Sequence, residues 1–232
     1  MPDDKSPTQK LMAAEATPAF VPNRFRDPLY HVEDDALDES VASNIGRWLH
    51  HNRDKLTRGG DDYGNTRFDY ELWNVDELAP ELVAPIKKKL CDIAADPAVL
   101  ASLSVPAFDL RYIEMHAHLY HHGSHFGWHD DGPSPEGRLV PTRRISFCYY
   151  MHTEPKMFSG GALEFLNGTT VEPNNNRLAV FHPIQQHRVR RVECWSAEVL
   201  SGRWALSGWI HGDPPEGWVE RVPKIRGVPF VP

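Results

Sequence analysis

The sequence predicts a mainly β protein, an antiparallel sandwich or barrel with two helices in front of it. Three observations carry that prediction. From Phe108 onward, short runs rich in β-branched and aromatic residues alternate with turn clusters, the rhythm of strands that fold back on one another. Ahead of them, two stretches carry apolar residues at the three- and four-residue intervals of an amphipathic helix. The chain has 232 residues, 25% charged and 41% hydrophobic, which is a composition and length able to bury a substantial core.

Residues 1–28 are polar and proline-punctuated and are expected to be a flexible segment. Residues 29–232 read as one domain, with helical support over 34–96, a barrel core over about 108–212 and a C-terminal extension over 213–232. Asp34 or Asp35 is placed to cap a helix whose apolar stripe is Leu37, Val41, Ile45 and Trp48. A Gly/Asp loop follows from Arg58 to Gly64, then a strand over Arg67–Val75. The second helix runs from about Leu78 to Ala94, with Leu82, Ile86, Leu90 and Ile93 on one face and Lys87 to Lys89 mostly on the other. Pro80 falls in its first turn, where a missing N–H costs little. The barrel strands are expected at Asp109–Tyr120, Arg144–His152, Ala162–Leu166, Arg177–Phe181, Gln186–Val192 and Arg203–His211. Turns are expected at 132–137, 159–161, 167–168 and 173–176.

Composition also excludes several functions. The net charge is −7, with no long basic run, which argues against a nucleic acid or an anionic membrane as the main partner. No segment approaches the roughly 18 uninterrupted apolar residues of a membrane span. The first twenty residues carry acidic residues where a signal peptide is basic, and no apolar h-region. Cys91, Cys148 and Cys194 are odd in number and far apart, so neither a disulfide framework nor a CxxC zinc site is suggested. A cytoplasmic setting is the expectation, with a small-molecule or peptide substrate as partner.

Thirteen histidines are present, six of them between His116 and His129. The segment Gly127-Trp128-His129-Asp130-Asp131 reads as the end of a strand. Alternation puts His129 and Asp131 on one face and Asp130 on the other. An imidazole and a carboxylate so placed can grip one metal ion from one side. A second imidazole from a distant strand would complete a facial triad with positions open for a co-substrate and O2. The same donors suit zinc. His116, His118, His121, His122 and His125 are expected to be solvated or satisfied within the core.

A resemblance is carried by an ordered set of motifs. The stretch Tyr120-His-His-Gly123-Ser-His-Phe126-Gly-Trp-His129-Asp-Asp131 resembles the pattern Y-x-x-G-x-x-[FY]-x-x-H-x-D of the 2-oxoglutarate/Fe(II) dioxygenase superfamily, in its prolyl-4-hydroxylase-like branch. Downstream, Arg143-Arg-Ile-Ser-Phe-Cys-Tyr149-Tyr150-Met151, then Gly160-Gly161-Ala-Leu163-Glu-Phe165, then Pro173 with Arg177–Phe181, and finally Arg203-Trp-Ala-Leu-Ser207-Gly-Trp209 resemble further segments of that branch. The likeness covers about Leu110 to Gly212. It implies a double-stranded β-helix, a jelly-roll barrel, and an enzyme that uses Fe(II), 2-oxoglutarate as co-substrate and O2, with ascorbate as a further reductant in some cases.

The resemblance assigns roles residue by residue. His129, Asp131 and His187 would hold the metal, with His182 competing for the distal position. Asp131 points to hydroxylation, because in halogenating relatives a small residue stands there and leaves room for chloride. Arg203 would pair with the distal carboxylate of 2-oxoglutarate, for which a rigid two-pronged guanidinium is suited. Tyr120 and Tyr150 resemble tyrosines that hydrogen-bond the co-substrate, with Tyr149 the alternative if the register slips by one. Ser207 and Trp209 would line the pocket. The 16-residue interval between His187 and Arg203 is longer than relatives usually show, so residues 193–198 are expected to form a lengthened hairpin. The implied reaction converts 2-oxoglutarate and O2 into succinate and CO2 while hydroxylating an unactivated C–H bond. An amino-acid-derived substrate is the leading expectation, and desaturation or ring closure on a small metabolite is the alternative. A barrel that binds without catalysing comes last. Residues 134–142 and 58–64 are candidate lids.

Overall fold

The computed structural model describes residues 29–59, 67–132, 142–198 and 201–213. The strands among them are β1 (Tyr30–Glu33), β2 (Thr57–Gly59), β3 (Arg67–Leu72), β4 (Leu110–Tyr120), β5 (His125–His129), β6 (Arg143–Met151), β7 (Phe158–Gly160), β8 (Leu163–Phe165), β9 (Thr170–Val171), β10 (Arg177–Phe181), β11 (His187–Val189), β12 (Val192–Cys194) and β13 (Arg203–Gly212). The helices are α1 (Glu39–His51), α2 (Val75–Leu78), α3 (Pro80–Ala95) and α4 (Pro97–Ser102). Expectations for residues 1–28, for most of the two candidate lids and for residues 214–232 fall outside the described residues.

The strands hydrogen-bond in the order β1-β10-β6-β13-β4-β3-β5-β11-β8-β9, with β2 also paired to β3. Every one of these pairings is antiparallel. The sheet curls at β3. Residues Tyr70–Leu72 pair with β4, whereas Arg67 and Phe68 pair with β5, so one strand serves both halves of a barrel. This curled antiparallel sheet is the expected jelly roll.

Period-two alternation sorts the side chains of its larger half. Ile113, Met115, Ala117 and Leu119 of β4, Ile145, Phe147, Tyr149 and Met151 of β6, and Trp204, Leu206 and Ile210 of β13 face one cluster with α1, α3 and α4. The helices contribute Ile45, Leu49, Val83, Ile86, Leu90, Ile93, Val99 and Leu100. The opposite faces of β6 and β13, with β10, turn into the barrel, where Tyr150, Ala205, Ala179 and Phe181 meet Leu163, Phe165 and Val171 of β8 and β9. Both faces of these strands are thus covered, which explains their continuous apolar runs.

Several boundaries differ from expectation, each for a physical reason. Helix α1 begins at Glu39 with Asp38 before it. Asp34 instead takes both Nε and Nη2 of Arg177, at 2.6 and 2.8 Å. The strand expected to reach Val75 stops at Leu72, because Asn74 adopts a left-handed conformation and Val75 opens a short helix. The turn expected at 159–161 is partly strand, since β7 pairs with β12. The run expected over Gln186–Val192 splits into β11 and β12. No helix among the described residues is long and apolar enough to cross a membrane.

Candidate metal and co-substrate site

β5 and β11 run side by side in a register that makes His129 and His187 direct cross-strand partners. Their ring centroids are 4.2 Å apart. Asp131 lies just beyond the end of β5, so strand alternation is not what aims it. Its backbone N–H donates to the Pro183 carbonyl at 2.8 Å, and the Ser146 hydroxyl donates to its Oδ2 at 2.7 Å. These bonds from two other segments turn the carboxylate toward the imidazoles. Asp131 Oδ1 then stands 3.9 Å from His129 Nε2, and Oδ2 stands 3.7 Å from His187 Nε2.

Those distances are too long for hydrogen bonds, so three donor atoms converge without satisfying one another. Each imidazole is held by its other nitrogen. His129 Nδ1 lies 2.8 Å from the Gly127 carbonyl, and His187 Nδ1 lies 2.8 Å from the Gln185 carbonyl. Facing a carbonyl, each Nδ1 must donate, which fixes the tautomer and leaves the Nε2 lone pair aimed at the shared space. Burial, with His187 adding to it, holds the His129 imidazole down at about 4. Burial would raise the Asp131 carboxyl, but His187, His129 and Arg143 and the Ser146 hydroxyl more than offset this and keep it below its ordinary range. A neutral imidazole and an ionised carboxylate are the forms that bind a divalent cation. Two ligands each about 2.1 Å from one ion can be up to roughly 4.2 Å apart, so the observed separations fit one metal.

The other candidates sort cleanly. His182 is not part of the converging group among the described residues. Its Nδ1 accepts from the Ile184 amide at 3.2 Å. Asp130 is exposed at the pocket edge. His116 bonds Glu114 at 2.8 Å, His118 bonds Asp69 at 3.0 Å, and His121 lies 3.0 Å from the Glu198 carbonyl, so these histidines are satisfied elsewhere, as expected.

The sequence profile of the 2OG-Fe(II) oxygenase superfamily matches residues 115–211, the stretch that carries the converging triad. The segment that carries the triad is therefore similar to the 2OG-Fe(II) oxygenase superfamily. An uncharacterized PKHD-type hydroxylase of Synechocystis is 32% identical over 138 residues, 54% of this chain. The match covers 43% of that relative, less than half its length. Among solved structures, a Pseudomonas putida prolyl-4-hydroxylase superposes with a TM-score of 0.57 at 18% identity, covering 80% of this chain and 94% of its own. The collagen prolyl hydroxylase of Paramecium Bursaria Chlorella virus-1 superposes with a TM-score of 0.58 at 15% identity, covering 80% and 97%. At these identities the superpositions establish a shared fold.

Members of that superfamily use Fe(II), 2-oxoglutarate and O2, and the barrel has a second feature suited to such a co-substrate. Arg203, 1% exposed, opens β13 opposite Tyr120 of β4. Its guanidinium lies 4.6 Å from the centre of the Tyr120 ring and 4.8 Å from that of Tyr150. Arg203 Nε and the Tyr150 hydroxyl are buried with no hydrogen-bond partner among the described residues. Unmet buried donors are costly, and a carboxylate would meet these. Tyr149, the alternative by one register step, faces the helices and donates to Asn176 Oδ1 at 2.8 Å.

Two adjacent glycines make room for this arginine. Gly161 has φ +72°, and a Cβ there would lie 2.7 Å from Arg203 Cδ and 3.0 Å from Val192 Cγ2. Gly160, at φ +73°, passes so close to the Arg191 carbonyl that a Cβ would overlap it. Gly161→Ala is therefore expected to destabilise the fold by about 1–3 kcal/mol from backbone conformation alone, with more from displacing Arg203. Urea denaturation midpoints compared with wild type check this.

The triad opens onto a pocket of about 200 Å3 whose wall includes Tyr120, Cys148, Ser207 and Trp209 but not Arg203. On its β3 side lies a cluster that sequence reasoning missed. Arg67 donates to both oxygens of Asp69, at 2.9 and 3.0 Å, and to Glu71, at 2.5 Å. Burial would raise the Asp69 carboxyl, yet its bonds to His118 and Arg67 bring it to about 2. Asp69, Glu71 and His118 offer metal-like geometry, but the Arg67 guanidinium sits among them and hydrogen-bonds both carboxylates. A sequence signal existed: Arg67, Asp69 and Glu71 alternate on one face of a strand, and buried charges must pair. A larger cavity of about 790 Å3 adjoins α1 and is lined by His50, His51 and His152. None of these joins a metal-like group among the described residues.

Proposed function

We propose that this chain is an Fe(II)- and 2-oxoglutarate-dependent dioxygenase that hydroxylates an unactivated C–H bond of an amino-acid-derived substrate and releases succinate and CO2. The observation that carries this reading is the convergence of His129, Asp131 and His187 on one point without hydrogen bonds among them, in the same barrel as the buried donors of Arg203 and Tyr150. The superfamily match over residues 115–211 supports it.

When bound, Fe(II) supplies the O2 chemistry that couples oxidative decarboxylation of 2-oxoglutarate to C–H oxidation. The chain's own residues do the rest. His129, Asp131 and His187 would hold the metal from one side, their orientations fixed by Gly127, Ser146 and Gln185. Arg203 would anchor the distal carboxylate of 2-oxoglutarate through paired N–H donors, with Tyr120 and Tyr150 packed on its guanidinium. Phe126, stacked on His129 at 3.7 Å, with Phe181 and Leu163, keeps bulk water off the ligand set and strengthens every charge interaction inside.

Purified protein with Fe(II) is expected to convert 2-oxoglutarate to succinate. That turnover should rise when a substrate is present, and the substrate should gain 16 mass units. Succinate release coupled to mass spectrometry reads both. Absence of any iron-dependent succinate, with or without amino acids and peptides, would leave a barrel that binds without catalysing.

A further inference from the structure

The pocket beside the triad is not electrically even. Its β3 and β4 wall presents Glu71, Trp73, His116 and His118, and Trp209 stands beside them on β13. One guanidinium there balances two carboxylates. Arg67 engages Asp69 through Nε and Nη2 and shares Nη2 with Glu71, so the group carries an excess of negative charge. Glu71, 9% exposed, is the member that reaches the pocket wall from β3 beside Arg67. Next along the chain, the Trp73 indole is 49% exposed at the pocket while packing on His116 with centroids 4.2 Å apart. An exposed indole next to an under-compensated carboxylate is the pairing that receives an organic cation. Trp209 lines the same pocket, with the Arg143 guanidinium 3.3 Å from its ring centre, and its Nε1 is buried with no hydrogen-bond partner among the described residues.

We infer that the substrate presents a protonated amine to Glu71 and Trp73, as in a free amino acid or the N-terminal residue of a peptide. This rests on the dioxygenase reading of the same pocket and narrows its substrate class. A prolyl residue inside a chain does not meet the requirement, because its nitrogen is an amide without charge. The pocket volume of about 200 Å3 suits a group the size of one residue.

The test uses the full chain loaded with Fe(II) and 2-oxoglutarate under argon. The probes are the proteinogenic amino acids, their Nα-acetyl derivatives, and Pro- and Leu-initiated tripeptides with free or acetylated N-termini. Quenching of tryptophan fluorescence, confirmed by calorimetry, gives the dissociation constants. At least one free amine should bind, and acetylating it should weaken binding at least about tenfold, the scale of one charge-assisted hydrogen bond. The amino-acid and tripeptide arms tell a free metabolite from a chain terminus. Glu71→Gln should bring the free-to-acetylated ratio close to one. Trp73→Ala, at a half-exposed position that does not threaten folding, should weaken the free amine several-fold. Equal binding of free and acetylated probes, binding of none of them, or an unchanged ratio in both variants would overturn the inference. If 2-oxoglutarate itself fails to bind the wild type, the dioxygenase reading fails and this inference falls with it. If 2-oxoglutarate binds and amines are not discriminated, this inference alone fails.

Discussion

Asp131→Ala and His187→Ala are each expected to lower Fe(II) affinity by more than about 100-fold and to abolish succinate formation. Partners one shell out from a metal are worth roughly 10–100-fold, and these two residues would touch the ion itself. Asp130→Ala and His182→Ala should keep wild-type affinity, since neither side chain belongs to the converging group. Anaerobic Fe(II) titration followed by equilibrium dialysis measures all four. Asp131→Ala also strands a buried serine hydroxyl that now donates to the carboxylate at 2.7 Å, so thermal melting must accompany the titration. A folded Asp131→Ala protein that binds iron normally would remove Asp131 from the ligand set, and an Asp130→Ala or His182→Ala protein that loses iron would replace it.

Arg203→Ala is expected to leave iron bound and to weaken 2-oxoglutarate by about 2–5 kcal/mol, the usual consequence of truncating one partner of a buried charge pair. The effect arises because the co-substrate carboxylate would be desolvated against Tyr120 and Tyr150 with no cation to meet it. Arg203→Lys should recover part of the affinity, since it restores the charge but not the planar two-pronged donor. Anaerobic titration of 2-oxoglutarate against the Fe(II) protein gives the constants. An unchanged dissociation constant in Arg203→Ala would redirect the assignment to Arg143 or Arg144.

Strands with a strict period are legible in the sequence. Arg177–Phe181 falls where expected, and Asp109–Tyr120 and Arg203–His211 differ from β4 and β13 by a single residue at one end, because each is bounded by turns and buried on both faces. β1 was not legible. Its four residues are all half-buried, and its order comes from pairing with β10 about 150 residues away. Gly160 and Gly161 suggested a turn, whereas their positive φ angles serve close approach to Arg191 and Arg203. In the site, His129 and Asp131 do converge, but for a different reason. Alternation would place Asp131 on the strand, while hydrogen bonds to Pro183 and Ser146 aim it from beyond the strand's end. The Arg67–Asp69–Glu71 group stayed hidden because its meaning depends on His118, on another strand.

β13 is the last of the described strands in the chain and yet the central one of its half-barrel, running between β4 and β6, which pair with it and not with each other. During synthesis, therefore, the ribosome has already delivered both neighbours before the strand that joins them exists. Until β13 arrives, two long edges stand open with their backbone donors and acceptors unmet, the state most prone to pairing with another chain. Its insertion closes that slot from both sides at once and brings Arg203 into place against Tyr120 and Tyr150. Placement of Arg203 and closure of those edges thus depend on the same strand.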